Sequence, residues 1–174
     1  MYDVVKTHID AASKIVIIQG ENPDGDSLAS SLALEELLGE QGKTVTMYCA
    51  IDMPKYLRFL KGWDRVVNDF PFDAELAVIV DTAAEALVEK AMQVRGVRSF
   101  LESHPVLVLD HHGEETDEES QNDLSFPHEF VLSNSAAATG ELIYEIATSL
   151  KWPVTPVAAA ALYSSIAADT LGLS

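Results

Sequence analysis

The stretch KIVIIQGENPDGDSLASSLALEELLGEQG, residues 14–42, decides the fold. It opens with Lys14, four consecutive apolar residues and Gln19. An apolar run without polar alternation is the mark of a strand covered on both faces. The acidic turn NPDGDS follows at 22–27. Leu28, Leu32, Leu34, Leu37 and Leu38 then recur at near-helical spacing, and Gly39 and Gly42 punctuate the end. A buried strand, a polar turn and a helix in succession set the pattern for the rest of the chain.

That pattern continues outward. KTVTMYC (43–49), AELAVIVDTA (74–83), HPVLVLDHH (104–112) and HEFVLS (128–133) read as four more strands. Between them, PKYLRFL reads as a short helix opened by Pro54, and AAEALVEKAMQVRGVRSFL as a helix broken near Gly96. SAAATGELIYEIATSL (135–150) and TPVAAAALYSSIAADT (155–170) are two further helices. The loop GEETDEESQNDLS carries the one charge run, 114–119, read as a solvated face. No internal repeat and no long linker interrupt the order. Apolar strands alternating with helices predict an α/β fold: a doubly wound, mainly parallel five-stranded sheet with helices on both faces, in one domain over 1–174. Such folds bind ligands beyond the carboxyl ends of their strands. There the sequence places NPDGD, DT and DHH, so the three groups are expected at one edge of the sheet.

Composition narrows the partners. Among 174 residues, 48% are hydrophobic and 22% charged, a globular balance. Eleven Lys and Arg against 28 Asp and Glu leave a net charge of −17. A surface that negative repels nucleic-acid backbones and anionic bilayers, so duplex nucleic acid and membranes are excluded as partners; a halophilic origin would give the same charge. Cys49 is the single cysteine, which excludes an internal disulfide framework and a cysteine-based zinc finger and points to a reducing compartment. No apolar run reaches 18 residues, and the amphipathic start MYDVVKTHIDAASK is no signal peptide. The expected location is the cytoplasm.

Taken alone, Asp24 and Asp26 read as helix-terminal caps, and Asp81 as a cap for whatever follows its strand. The remaining ligands of an EF-hand loop are missing. Asp110-His111-His112 is harder to assign to a turn, and Asp169 follows an alanine-rich helix that reads as buried, where a carboxylate needs a partner. If Asp24, Asp26, Asp81 and Asp169 meet, each like-charge pair at 4 Å costs about 4 kcal/mol at an effective dielectric of 20. Helix dipoles return only about 0.3–1 kcal/mol each. Such a cluster requires protons or cations. Carboxylates with imidazole and no thiolate suit Mn²⁺ best, with Mg²⁺, Co²⁺ or Zn²⁺ as alternatives. Paired divalent ions are a common device for phosphate-ester hydrolysis.

NPDGDS, the strand-terminal VDT, LDHH and the late ADT stand in the order of the DHH phosphoesterase family, and the chain resembles that family from about residue 14 to residue 172. The family includes RecJ-like exonucleases, nanoRNases, cyclic-dinucleotide phosphodiesterases and manganese pyrophosphatases, on a Rossmann-like domain. The resemblance implies that Asp24 binds a first metal, Asp26 a second, and Asp81 bridges them. His111 and Asp169 would complete the second site, His112 would touch the phosphate, and Asp110 would orient the histidines. It implies a metal-dependent phosphoesterase using one or two Mn²⁺ ions on short oligonucleotides or cyclic and linear dinucleotides; a homodimer is left open. In the stretch SNSAAATGELIYEI, Ser and Thr read as caps and small packing residues.

Two departures stand out. Family members usually carry a His four residues before the first Asp, and that position here is Gly20. Glu21 or Gln19 would replace it only in a reshaped loop; otherwise Gly20 serves its backbone, through a positive φ or a close approach. Second, no glycine-rich segment of the smaller DHH-associated, substrate-binding domain is found before the chain stops at DTLGLS. These departures favour the main rival, a non-catalytic nucleotide- or metal-binding module. A metal-free structural domain is a third reading, disfavoured by the carboxylate electrostatics.

Overall fold

All five apolar runs become strands. The computed structural model describes residues 2–112 and 123–170. Its strands are β1 (Lys14–Gln19), β2 (Thr44–Tyr48), β3 (Leu76–Val80), β4 (Val106–Asp110) and β5 (Glu129–Leu132). Their order is β2-β1-β3-β4-β5, and every pairing is parallel. In register, Ile17 sits between Met47 and Val78, and Val108 between Ile79 and Phe130.

The helices are α1 (Asp3–Ala11), α2 (Gly25–Glu40), α3 (Glu89–Gln93), α4 (Val97–Ser103), α5 (Thr139–Ser149) and α6 (Pro156–Asp169). Strand side chains alternate between the two faces, and each face has its own core. Ile15, Ile17, Val78 and Leu107 pack with Val5, Leu37 and Leu142 of α1, α2 and α5. Val16, Ile18, Ile79 and Val108 pack with Ala91, Val97 and Leu101 of α3 and α4. The chain runs from β1 out to β2, then back across to β3. The order reverses at the β1/β3 boundary, where a doubly wound sheet opens a crevice.

Three local readings change. PKYLRFL forms only a 3₁₀ turn, Lys55–Leu57, because Leu57, Arg58 and Leu60 each bond three residues back. Residues 83–101 divide as expected, with Gly96 at φ 94° between α3 and α4. The helix expected over 135–150 starts only at Thr139. The helix over 155–170 is not buried: α6 packs one side on α2 and α5 and leaves Val157 60% and Tyr163 66% exposed. Among the described residues no helix is long and apolar enough to cross a membrane. The acidic run 114–119 lies outside the described residues.

Candidate metal centre

The crevice collects the acidic residues from four elements. Asp26 sits in the first turn of α2, fully buried, and its carboxylate is densely hydrogen-bonded. Oδ1 accepts from the hydroxyls of Ser30 (2.8 Å) and Ser165. Oδ2 accepts from the Thr139 N–H at 2.8 Å, and the Gly140 N–H points at Oδ1 from 3.4 Å. Those N–H groups open α5, so Asp26 caps a helix 113 residues away in sequence, and the dipole of α5 favours its negative charge. This explains the late start of α5.

Asp81 follows β3 directly, in the left-handed region at φ 60°. An Asp tolerates that conformation better than most side chains. Its Oδ1 accepts from the Thr139 hydroxyl at 2.9 Å rather than capping the next helix. Burial, then the nearby charges of Asp26 and Asp24, pushes its carboxyl up to about 9.

His111 follows β4, with its Nε2 buried and without a hydrogen-bond partner among the described residues. Three carboxylate oxygens surround that nitrogen: Asp26 Oδ2 at 3.5 Å, Asp81 Oδ1 at 3.6 Å and Asp169 Oδ2 at 3.5 Å. These separations are too long for hydrogen bonds. They suit donors that share an ion: atoms 2.1 Å from one centre at tetrahedral angles stand about 3.4 Å apart. Asp26, His111 and Asp169 offer ligand atoms within 4.8 Å of one another, and so do Asp81, His111 and His112, so the residues present fit a divalent cation with oxygen and imidazole donors. Asp169, read as buried from its helix, is the last residue of α6 and is partly exposed, because the end of α6 faces the crevice mouth.

Asp110, buried at the end of β4, takes the His112 N–H at 3.1 Å and its ring Nδ1 at 2.8 Å on the same oxygen. It orients His112; among the described residues no bond joins it to His111. His112 also stands 3.8 Å from Asp81 Oδ1. The hydrogen bond to Asp110, ahead of the Asp110, Asp81 and Asp169 charges, pushes its imidazole up to about 9. The His112 side chain is 61% exposed at the crevice mouth.

Asp24 is placed differently. Its Oδ1 accepts from the Ser27 N–H while Ser27 Oγ accepts from its N–H, both at 2.9 Å, a capping box at the start of α2. Gly20 has no positive φ, and a Cβ there would make ordinary contacts at 3.5 Å with Leu87 O and Thr82 Cγ2. Neither backbone reason for a glycine applies. The Glu21 Oε2 accepts from the Lys90 N–H at 2.9 Å. Ser30, Thr139, Gly140 and Ser165, which hold Asp26 and Asp81, were not singled out by the sequence as site residues. Buried hydroxyls on apolar helices were the one available sign, since each needs a partner.

The profile of the DHH family N-terminal domain matches residues 14–166, and the chain belongs to the DHH family. It is 31% identical over 166 residues to the bifunctional oligoribonuclease and PAP phosphatase NrnA of Mycoplasma pneumoniae, covering 93% of this chain and 48% of that protein. Its identity to the protein of the same name from Mycoplasma genitalium is 30% over 161 residues, covering 90% of this chain and 46% of that one. The chain spans about half the length of these relatives. The fold matches the crystal structure of an exopolyphosphatase-related protein from Bacteroides fragilis with a TM-score of 0.82 at 21% identity, over 99% of this chain and 50% of that one.

Proposed function

We propose that this is a phosphoesterase domain that uses Mn²⁺ to hydrolyse short oligonucleotides or dinucleotides, cyclic ones included. The observation that carries this reading is the unpartnered His111 Nε2 amid three carboxylate oxygens. Asp26, Asp81, His111 and Asp169 would hold one ion, and Asp24 with Asp81 a second. Bound divalent ions supply Lewis acidity, neutralising charge on phosphoryl oxygens and acidifying the attacking water. His112, held by Asp110, would donate to a phosphate oxygen at the mouth. The closed set of hydrogen bonds on Asp26 holds its charge in place before substrate arrives. The substrate class draws support from the oligoribonuclease and PAP phosphatase relatives. The net charge of −17 supports short substrates over a long strand tracked along the surface.

Thermal melting tests the ion. At 100 times its dissociation constant, Mn²⁺ should contribute about 2.7 kcal/mol. For a domain of this size that is a rise of several degrees, at about 2–4 °C per kcal/mol, reversed by EDTA. Mn²⁺-dependent cleavage of the dinucleotide pApA, faster than that of a long single strand, tests the reaction. A melting curve indifferent to Mn²⁺ up to millimolar concentration would reject the centre.

The four-donor position should bind tightly and the position beside Asp24 weakly, for want of an imidazole at residue 20. Loss of a supporting group alone costs about 10–100-fold in metal affinity. Gly20→His, whose Cβ would meet only ordinary contacts, is expected to raise the Mn²⁺ stoichiometry from about one toward two and to increase hydrolysis. Calorimetric titration checks this; two equal sites in the unsubstituted protein would contradict it.

A further inference from the structure

The run DMPKYLRFLKGWDR, residues 52–65, follows β2 and leaves the sheet at the edge that carries the metal centre. It holds four of the chain's eleven cations, Lys55, Arg58, Lys61 and Arg65, with the aromatics Tyr56, Phe59 and Trp63 and two carboxylates. Met53, Leu57 and Leu60 anchor it in the core. The opposite side faces solvent: Tyr56 is 65% exposed, and Phe59, at 78%, is the most exposed large apolar side chain among the described residues. The Tyr56 hydroxyl donates to the Pro23 carbonyl at 2.8 Å, so its ring lies against the residue preceding Asp24. Arg58 lies 4.6 Å over the Trp63 ring, with its Nε on the Met53 carbonyl at 3.1 Å. Arg65 is committed to Glu35. Lys55 and Lys61 have no ion-pair partner among the described residues.

Exposed rings interleaved with cations are what single-stranded nucleic acid requires: faces for bases and charges for phosphates. On a surface of net charge −17, a polyanion is repelled elsewhere and steered to such a spot. We propose that residues 55–61 form a platform on which the base beyond the scissile phosphodiester stacks on Phe59 and Tyr56, while Lys55, Arg58 and Lys61 take its backbone phosphates. This rests on the phosphoesterase reading and deepens it, because two rings accommodate one or two bases and so select a short strand.

Two non-hydrolysable methylene-phosphonate analogues of pApA, one complete and one lacking the second base, test the platform by titration into the whole protein with Mn²⁺. The complete analogue should bind more tightly. Phe59→Ala should weaken it by roughly 5- to 100-fold, the range that stacking supplies per base, and shrink its advantage over the base-free analogue. Phe59→Trp should restore binding. In a longer analogue, pApApA, which carries a phosphodiester beyond that base, Lys61→Ala should weaken binding and its salt dependence, and it should leave pApA unaffected. Undetectable binding of the complete analogue overturns the platform. So does a Phe59→Ala protein of unaltered affinity, or one that loses both analogues equally. A Phe59→Ala protein that changes oligomeric mass instead marks the face as a contact between copies and also overturns it. Cleavage of pApA is measured separately. Phe59-dependent binding without cleavage upholds the platform and overturns the enzymatic reading; cleavage with Phe59-independent binding does the reverse.

Discussion

Asp81→Asn is expected to abolish stabilisation by Mn²⁺ and to lower pApA hydrolysis by at least about 100-fold, yet to make the protein more stable in EDTA. The substitution is nearly isosteric. Asn tolerates the left-handed φ of 60°, and its carbonyl can still accept from the Thr139 hydroxyl. What it removes is a carboxyl that must either bind a cation or take up a proton to stay buried. With no cation, burial and the Asp26 and Asp24 carboxylates push Asp81 up to about 9, from an ordinary 3.8 in the unfolded chain. Between those values the unfolded state binds fewer protons than the folded one, so stability falls as pH rises. His112 acts in the same direction. Its value is raised from 6.5 to about 9, so its contribution is complete below about pH 6.5 and is lost through pH 9, though exposure screens it. In EDTA the unsubstituted protein should therefore melt at lower temperature at pH 9 than at pH 6. Asp81→Asn should flatten that slope and add about 1–4 kcal/mol near neutral pH, because Asn needs no proton to be buried there whereas Asp81 takes one up at about 1.4 kcal/mol per pH unit above its unfolded value. With Mn²⁺ the order of the two proteins should invert. If Asp81→Asn is the less stable protein in EDTA, its carboxylate is held by Thr139 more than opposed by its neighbours, and the case for a cation-dependent centre collapses.

The strands were legible because each is a run of apolar residues with nothing polar until its end, and a sheet covered on both faces admits little else. The polar residues closing those runs, Asp81 and Asp110, were legible as site residues for the same reason: each stands where the apolar pattern stops. Asp26 and Asp24 could not be separated by pattern. Both lie at one helix start, and only packing shows that Asp24 caps α2 while Asp26 turns inward to α5. The exposure of α6 was illegible because alanine and valine read alike on either face of a helix. The holders of the carboxylates were hidden more deeply. Thr139 looks like a cap and Ser165 like a small packing residue. Their role depends on the approach of α5 and α6 to α2, which local sequence does not encode.

That approach makes Gly140→Ala the substitution with the largest expected effect on stability. A methyl group there would stand 2.7 Å from Ser165 Cβ and 3.4 Å from the Leu162 carbonyl, and would overlap Ser165 Oγ. Backbone lies behind these atoms, so α5 and α6 must separate or Ser165 must turn away. Overpacking of this kind costs about 1–3 kcal/mol. Turning Ser165 also breaks its bonds to the Gly140 N–H and to Asp26 Oδ1, leaving buried polar groups unpaired at about 1–3 kcal/mol. Together, a loss of roughly 2–6 kcal/mol is expected, with weaker Mn²⁺ binding because Asp26 loses a fixed partner. Gly39→Ala is the matched control. Gly39 lies in α2 with nothing within 4 Å of an added Cβ, so alanine there should stabilise by about 0.5–1 kcal/mol through helix propensity. The double substitution Gly140→Ala with Ser165→Gly separates the two causes. Removing the Ser165 side chain relieves the clash but returns no hydrogen bond to Asp26. Denaturant unfolding should show stability partly regained, and calorimetry should show Mn²⁺ affinity still reduced. If the double variant recovers neither, the clash is not what Gly140 avoids. If it recovers both, Ser165 does not position Asp26.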